Sequence, residues 1–220
     1  MRSLFAAFLG LPHHLLPEER RERNRGGGEA PRWKESPLPP VHTLERMRKG
    51  RGPLHDILPY DRGAAVRYAH RWAYDRNPAY YDFSELGGDC TNFASQCLYT
   101  GSGVMDHTPT FGWYYISGNQ KSPSWSGVPY FYNFLTRKDS RPGPFGTEAG
   151  LGELEPGDFI QLSFAGGIFA HDPIVVEIRQ PAFPDTILVA AHSQDADFRP
   201  LNTYPYQALR GIHILGVRPR

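Results

Sequence analysis

Apolar positions recur with two periods along this chain, and the change between them divides it. Over residues 61–74, Ala65, Ala69, Trp72 and Ala73 repeat at helical spacing. Asp61 is placed to cap that helix, and Asn77-Pro78 to stop it. Cys90, Phe93, Ala94, Cys97 and Leu98 then fall at i, i+3, i+4, i+7 and i+8, which predicts a second helix with one apolar face. Gly87-Gly88 permit a tight reversal before it, Asp89 is placed to cap it, and Gly101 or Gly103 to end it. Residues 130–135, with Tyr130, Phe131 and Phe134, predict a short third helix.

After Leu154 the period falls to two. Pro156-Gly157-Asp158 is a turn signal. Ile160, Leu162 and Phe164 alternate with Gln161 and Ser163, as in a half-buried strand. Residues 169–178 predict a second strand, 181–185 a hairpin loop, 187–193 a third strand and 212–217 a fourth, whereas 138–150 read as a loop. Helices followed by hairpin-connected strands predict an α+β fold with an antiparallel sheet.

Composition sharpens this picture. With 220 residues there is room for one ordinary domain plus an extension. Residues 1–58 carry the extension: a mixed-charge run, Gly26-Gly27-Gly28, and Pro31, Pro37, Pro39 and Pro40, which prevent a continuous helix. The basic cluster of Arg46, Arg48, Lys49 and Arg51 is short and lacks interleaved aromatics, so a solvated linker fits better than a binding arm. A net charge of +1 supplies no field toward nucleic acid or membrane. No stretch is apolar for long enough to span a bilayer. The start, Leu4-Phe5-Ala6-Ala7-Phe8-Leu9 followed by His13-His14, makes a poor export signal, which slightly favours a cytoplasmic location and leaves the question open.

Only two cysteines occur, and seven residues along one helix separates them by about 10 Å, too far for a disulfide. Cys97 lies two turns into the apolar face, as core. Cys90 sits on the first turn, where unpaired N–H groups and the helix dipole favour a thiolate, and is the candidate nucleophile. A thiol nucleophile needs a base, and the base an orienting partner. Of nine histidines, His13, His14, His42 and His55 fall in the extension, His70 on the first helix, His107 in a loop and His213 at a late strand start. His171 and His192 remain, at adjoining ends of neighbouring predicted strands. In a hairpin they are cross-strand neighbours, one able to take the thiol proton while the other fixes its tautomer. Trp113 and Trp125, in a loop-rich segment, line a cleft or cover the core.

Tyr60-Asp61-Arg62, Trp72 with Arg76-Asn77-Pro78 and Tyr81, and Gly88-Asp89-Cys90-Thr91-Asn92-Phe93 with Ser95-Gln96 resemble the bacterial putative amidase domain family. So do Pro156-Gly157-Asp158, His171 with Ile174-Val175-Val176, and His192-Ser193 with Asp195, Arg199 and Leu201. The resemblance covers residues 60–217. It implies a papain-like α+β domain over 59–220, with the nucleophile helix packed on an antiparallel sheet. It further implies a cysteine hydrolase that cleaves an amide or peptide bond through a thioester and needs no cofactor. Carried over, Cys90 is the nucleophile, His171 the base and His192 the orienting residue. The Cys90 N–H is an oxyanion donor, and Asp89, Tyr81 and Trp113 are oxyanion or substrate-binding candidates. Gln96, nearly two turns beyond Cys90, is a poor oxyanion residue. The implied partner is a peptide or amide, with peptidoglycan-derived peptide among the choices. One departure stands out: the family carries a small hydroxyl residue after its histidine, and here Asp172-Pro173 follow His171, with Pro173 predicting an edge or bulge. Asp195 competes with His192 as third residue. Two other readings are a non-catalytic binding module of the same fold and a zinc site of Cys90, His171 and His192, which lacks a metal-binding spacing.

Overall fold

The computed structural model describes residues 57–220. The extension, its basic cluster, the N-terminal apolar run and the histidines before residue 57 lie outside the described residues.

Helix α1 spans Arg62–Trp72, and Asp61 Oδ1 accepts the Ala64 N–H at 2.8 Å, the cap that the sequence predicts. Ala65 and Ala69 are buried without residue, so α1 presents a thin face to its neighbour. That neighbour is α2, Cys90–Ser102, closed by Gly103 in the left-handed conformation, whose N–H reaches Tyr99 O at 2.8 Å. The approach is close at Gly101, where a side-chain carbon would lie 2.6 Å from Asp61 O. Ten of the thirteen residues of α2 are buried, so it is enclosed on nearly every side rather than along one face. A hairpin of β1 (Tyr115–Ser117) and β2 (Gln120–Lys121) follows, then α3 (Pro123–Ser126) and α4 (Val128–Leu135).

The large sheet is antiparallel. Its strands are β3 (Gly143–Ala149), β4 (Phe159–Ala165), β5 (Ile168–His171), β6 (Ile174–Ile178), β7 (Ile187–Ala191), β8 (Ala196–Pro200) and β9 (Ala208–Arg218). They run in the order β3-β9-β4-β6-β7-β8, with β5 pairing β4. The α+β class with an antiparallel sheet is therefore as the patterning predicts.

Three sequence expectations change. Residues 138–150 hold β3, which pairs with β9 from Gly143↔Arg218 to Ala149↔Gly211. Gly143, Pro144 and Gly146 hide its alternation, and a bulge interrupts it between Phe145 and Gly146. Strand β4 is buried on both faces through its first five residues, Gln161 and Ser163 included, because apolar clusters cover both sides of the sheet. The predicted strand over 169–178 is two strands, β5 and β6, broken at Asp172-Pro173. Proline cannot donate to a ladder, which is the physical reason for the break.

Trp113 and Trp125 are fully buried, with ring centroids 5.0 Å apart. Their indole N–H groups donate to Ser95 Oγ at 3.0 Å and Asn92 Oδ1 at 2.8 Å. Both anchor α2 in the core. Trp113 is thus not positioned to touch substrate, in contrast to its candidacy on sequence.

Candidate active site

The start of α2 is set by Gly87 and Gly88, with φ of +104° and +115°. Such angles favour glycine, and a side-chain carbon on Gly88 would also come 3.1 Å from Ser193 Oγ. That hydroxyl accepts the Asp89 N–H at 2.7 Å, tying the turn to the segment after β7. Asp89 holds the N-cap position, yet its side chain caps no amide of the helix. Its carboxylate instead accepts from the Phe83 N–H at 2.9 Å and from Asn92 Nδ2 at 2.8 Å, and its other oxygen lies 2.6 Å from His192 Nδ1. The expected cap is overridden because the carboxylate is taken up by other partners: the Phe83 amide before the turn, the Asn92 side chain within α2, and His192 from beyond β7.

Cys90 opens the helix and is 7% exposed. Its sulfur lies 3.9 Å from Thr91 Oγ1 and 4.0 Å from Ala170 O, the carbonyl preceding His171. The expected activation by the helix start is outweighed here. Burial, then the negative charge of Asp172, push the thiol up to about 11, although the Asp172 and Thr91 amide hydrogen bonds pull it down.

His171 is buried against Tyr204 and Phe164, with ring centroids 5.4 and 6.2 Å away, and its Nε2 has no hydrogen-bond partner. Burial, then the Arg199 charge, lower it to about 4, so its ring is neutral at pH 7. Among the described residues no hydrogen bond joins it to Cys90 or to His192. His192 is stacked on Phe93 at 4.0 Å, with Nε2 donating to Trp72 O at 2.8 Å and Nδ1 on Asp89. Both its ring nitrogens are thus engaged, and the expected histidine–histidine contact does not form. The β6–β7 register pairs Ile174 with Ala190, and continuing it places His192 opposite Asp172 rather than His171.

Asp172 is the group that sequence reasoning passed over. Fully buried, it accepts from Thr91 Oγ1 and Gln161 Nε2, both at 2.6 Å. Gln161 also donates to Val128 O at 2.7 Å and accepts from Arg210 Nε at 2.9 Å. Burial raises Asp172 to about 7 against the pull of the Thr91 and Gln161 hydrogen bonds. The departure at the position after His171 was the available signal. Asp195 is held by the two terminal nitrogens of Arg76 at 2.9 and 3.0 Å, and among the described residues no hydrogen bond joins it to His171.

Tyr81 is half exposed and lines a cavity of about 460 Å³ together with Phe83, Leu86, Gly88 and Lys121. Lys121 Nζ sits 4.6 Å from the centre of the Phe83 ring. The cavity reaches the residue two before Cys90. Among the described residues no group of three or more His, Cys, Asp and Glu side chains is arranged to hold a metal, and no helix is long and apolar enough to cross a membrane. The zinc reading loses its geometric basis, since His192 is committed to Asp89 and Trp72.

Fold and site together define an α+β protein with a buried thiol at a helix start, set against a strand end that carries a neutral imidazole. The family follows from comparison: the model of the putative amidase domain matches residues 59–215, and the chain belongs to that family. It is also similar to an uncharacterised protein, YhbB, of Bacillus subtilis strain 168. The two are 36% identical over 151 residues, which cover 64% of this chain and 43% of YhbB. The chain thus spans less than half the length of that relative. No solved structure matches.

Proposed function

We propose that this protein is a papain-like cysteine hydrolase of amide or peptide bonds, with Cys90 as nucleophile and His171 as base. The observation that carries the reading is the meeting of α2 with the end of β5. There the Cys90 sulfur lies 4.0 Å from the carbonyl of Ala170, next to a buried histidine whose Nε2 is unpartnered. Membership of the amidase family supports the reaction class. An unpartnered ring nitrogen in a buried site is costly unless a reaction or ligand uses it.

His171, neutral at pH 7, accepts the Cys90 proton as the sulfur attacks the amide carbonyl. Because the thiol is held up at about 11, proton transfer accompanies attack rather than preceding it. The oxyanion is held at the first turn of α2. Asp89, which caps none of its amides, leaves the Cys90 N–H for that purpose. His171 then protonates the leaving amine, and water, with the same histidine as base, hydrolyses the thioester. His192 serves as a positioning residue: it fixes Asp89 and so the start of α2, rather than orienting His171. Residues 59–220 form the catalytic domain and 1–58 its extension. The cavity beside Gly88 receives part of a peptide substrate, with peptidoglycan stem peptides one source.

The test is turnover on a panel of peptide amides and stem peptides by the native protein and by Cys90→Ala. The expected result is cleavage by the native protein and none above background by a variant with the native melting temperature. Retained cleavage in Cys90→Ala sinks the nucleophile. A native protein that binds a panel member without cleaving it points instead to a binding module.

A further inference from the structure

The carboxylate of Asp172 has no step in this mechanism, yet it is bonded to Thr91, the residue after the nucleophile. It is buried at the break between β5 and β6, and everything around it is specified. From α2, Thr91 donates to one oxygen at 2.6 Å, and Thr91 Oγ1 is itself 3.9 Å from the Cys90 sulfur. From β4, Gln161 donates to the other oxygen at 2.6 Å. From β9, Arg210 reaches Gln161 Oε1 at 2.9 Å, and its guanidinium sits 3.4 Å from the Tyr132 ring centre and 4.0 Å from that of Phe169. A line of contacts thus runs from a partly exposed arginine through Gln161, Asp172 and Thr91 to the thiol. The backbone amide of Asp172 acts to lower the Cys90 pKa, while the charge of its carboxylate acts to raise it. One residue therefore presents two opposed influences to the same atom: an amide that stabilises a thiolate and a carboxylate whose charge opposes it.

We propose that Asp172 is a positioning residue that governs the reactivity of Cys90, with its proton as the control: protonated, it permits the thiolate; ionised, it holds the thiol closed. The ionisable and charged groups around it are Cys90 from α2, Arg210 from β9, His192 opposite it where the β6–β7 register is continued, and His171 beside it along the chain; Thr91 and Gln161 contribute uncharged donors. Arg210 and the two hydrogen bonds favour its ionised form, while burial favours the neutral one. The balance places the change near pH 7. The proposal rests on the reading of Cys90 as nucleophile for its meaning, but thiol reactivity can be read without any substrate.

The test is the rate of iodoacetamide alkylation of the full chain between pH 5.5 and 9.5, with Cys90 resolved from Cys97 by peptide mass spectrometry. For the native protein the logarithm of the Cys90 rate is expected to rise with pH, flatten as Asp172 ionises around neutrality, and rise again. Asp172→Asn keeps an acceptor for Gln161 and a partner for Thr91 but loses the charge. Its profile is expected to rise without the shoulder, and to be about tenfold faster at pH 8. An unbroken rise in the native protein overturns the proposal, whether or not the variant folds. So does a folded Asp172→Asn whose rate at pH 8 stays within twofold of native. Absence of amide cleavage alongside the expected alkylation profiles would refute the hydrolase reading and leave this coupling standing.

Discussion

At the scale of single residues, burial decides more than sequence position does. A helix-start cysteine is commonly a candidate for a lowered pKa, yet here desolvation and the Asp172 charge raise it to about 11. Cys90 is therefore expected to label slowly at pH 8, accelerating by more than two decades on approach to pH 10.5; rapid labelling at pH 6 is the outcome that removes this account. His192 is buried between Asp89 and the Trp72 carbonyl. Its replacement by alanine leaves one oxygen of the buried Asp89 carboxylate without its imidazole partner, and a loss of about 1–3 kcal/mol in urea unfolding is expected. A change under 1 kcal/mol contradicts the positioning role. The candidacies of Cys90, His171 and His192 were legible from residue type and spacing. Their orientations were not, because a strand residue's face depends on register, and the break at Asp172-Pro173 resets it.

At the scale of elements, helices were more legible than strands. The Asp61 cap, the alanine face of α1 and the Gly103 stop of α2 appear where local chemistry puts them, since each acts over one turn. Asp61→Ala is expected to lower stability by about 1 kcal/mol, read as a fall in melting temperature. Gly101→Ala is expected to cost more, about 1–3 kcal/mol, because its methyl group enters space held by Tyr60 and the Asp61 carbonyl. A melting temperature equal to native in the latter variant speaks against the close helix contact. Strand β3 escaped detection because its pairing with β9 is made mainly by backbone, over a segment with two glycines and a proline. Strand β8, Ala196–Pro200, escaped for a similar reason, being short and polar, with Phe198 at φ +53°.

At the scale of the whole molecule, two adjacent buried groups pull stability in opposite directions with pH. Asp172 has a folded pKa above its ordinary value, so its cost is absent below 3.8 and grows as pH rises to about 7. At about 1.4 kcal/mol per pH unit over that interval, the cost is on the order of 4 kcal/mol. His171 has a folded pKa below its ordinary value, so its cost is absent above 6.5 and grows as pH falls to about 4, on the order of 3 kcal/mol. Between pH 4 and 6.5 their pH dependences nearly cancel, so the combined cost stays roughly constant. Removing one exposes the other: relative to native, Asp172→Asn is expected to be more stable at pH 7.5 than at pH 4 by on the order of 4 kcal/mol. Urea unfolding at the two pH values measures this, and a difference independent of pH refutes it.

Sequence by itself determined the α+β class, the two principal helices, the family and the residues worth suspecting, because periodicity, caps and motifs act over a few residues. Only the tertiary structure decided that Asp89 serves His192 instead of the helix, that Trp113 belongs to the core, and that His192 and Asp195 are spoken for. It also decided that Asp172, rather than a second histidine, reaches the first turn of α2 through Thr91. Each of these depends on which groups compete for the same buried polar atoms, and that competition exists only once distant strands and helices have met.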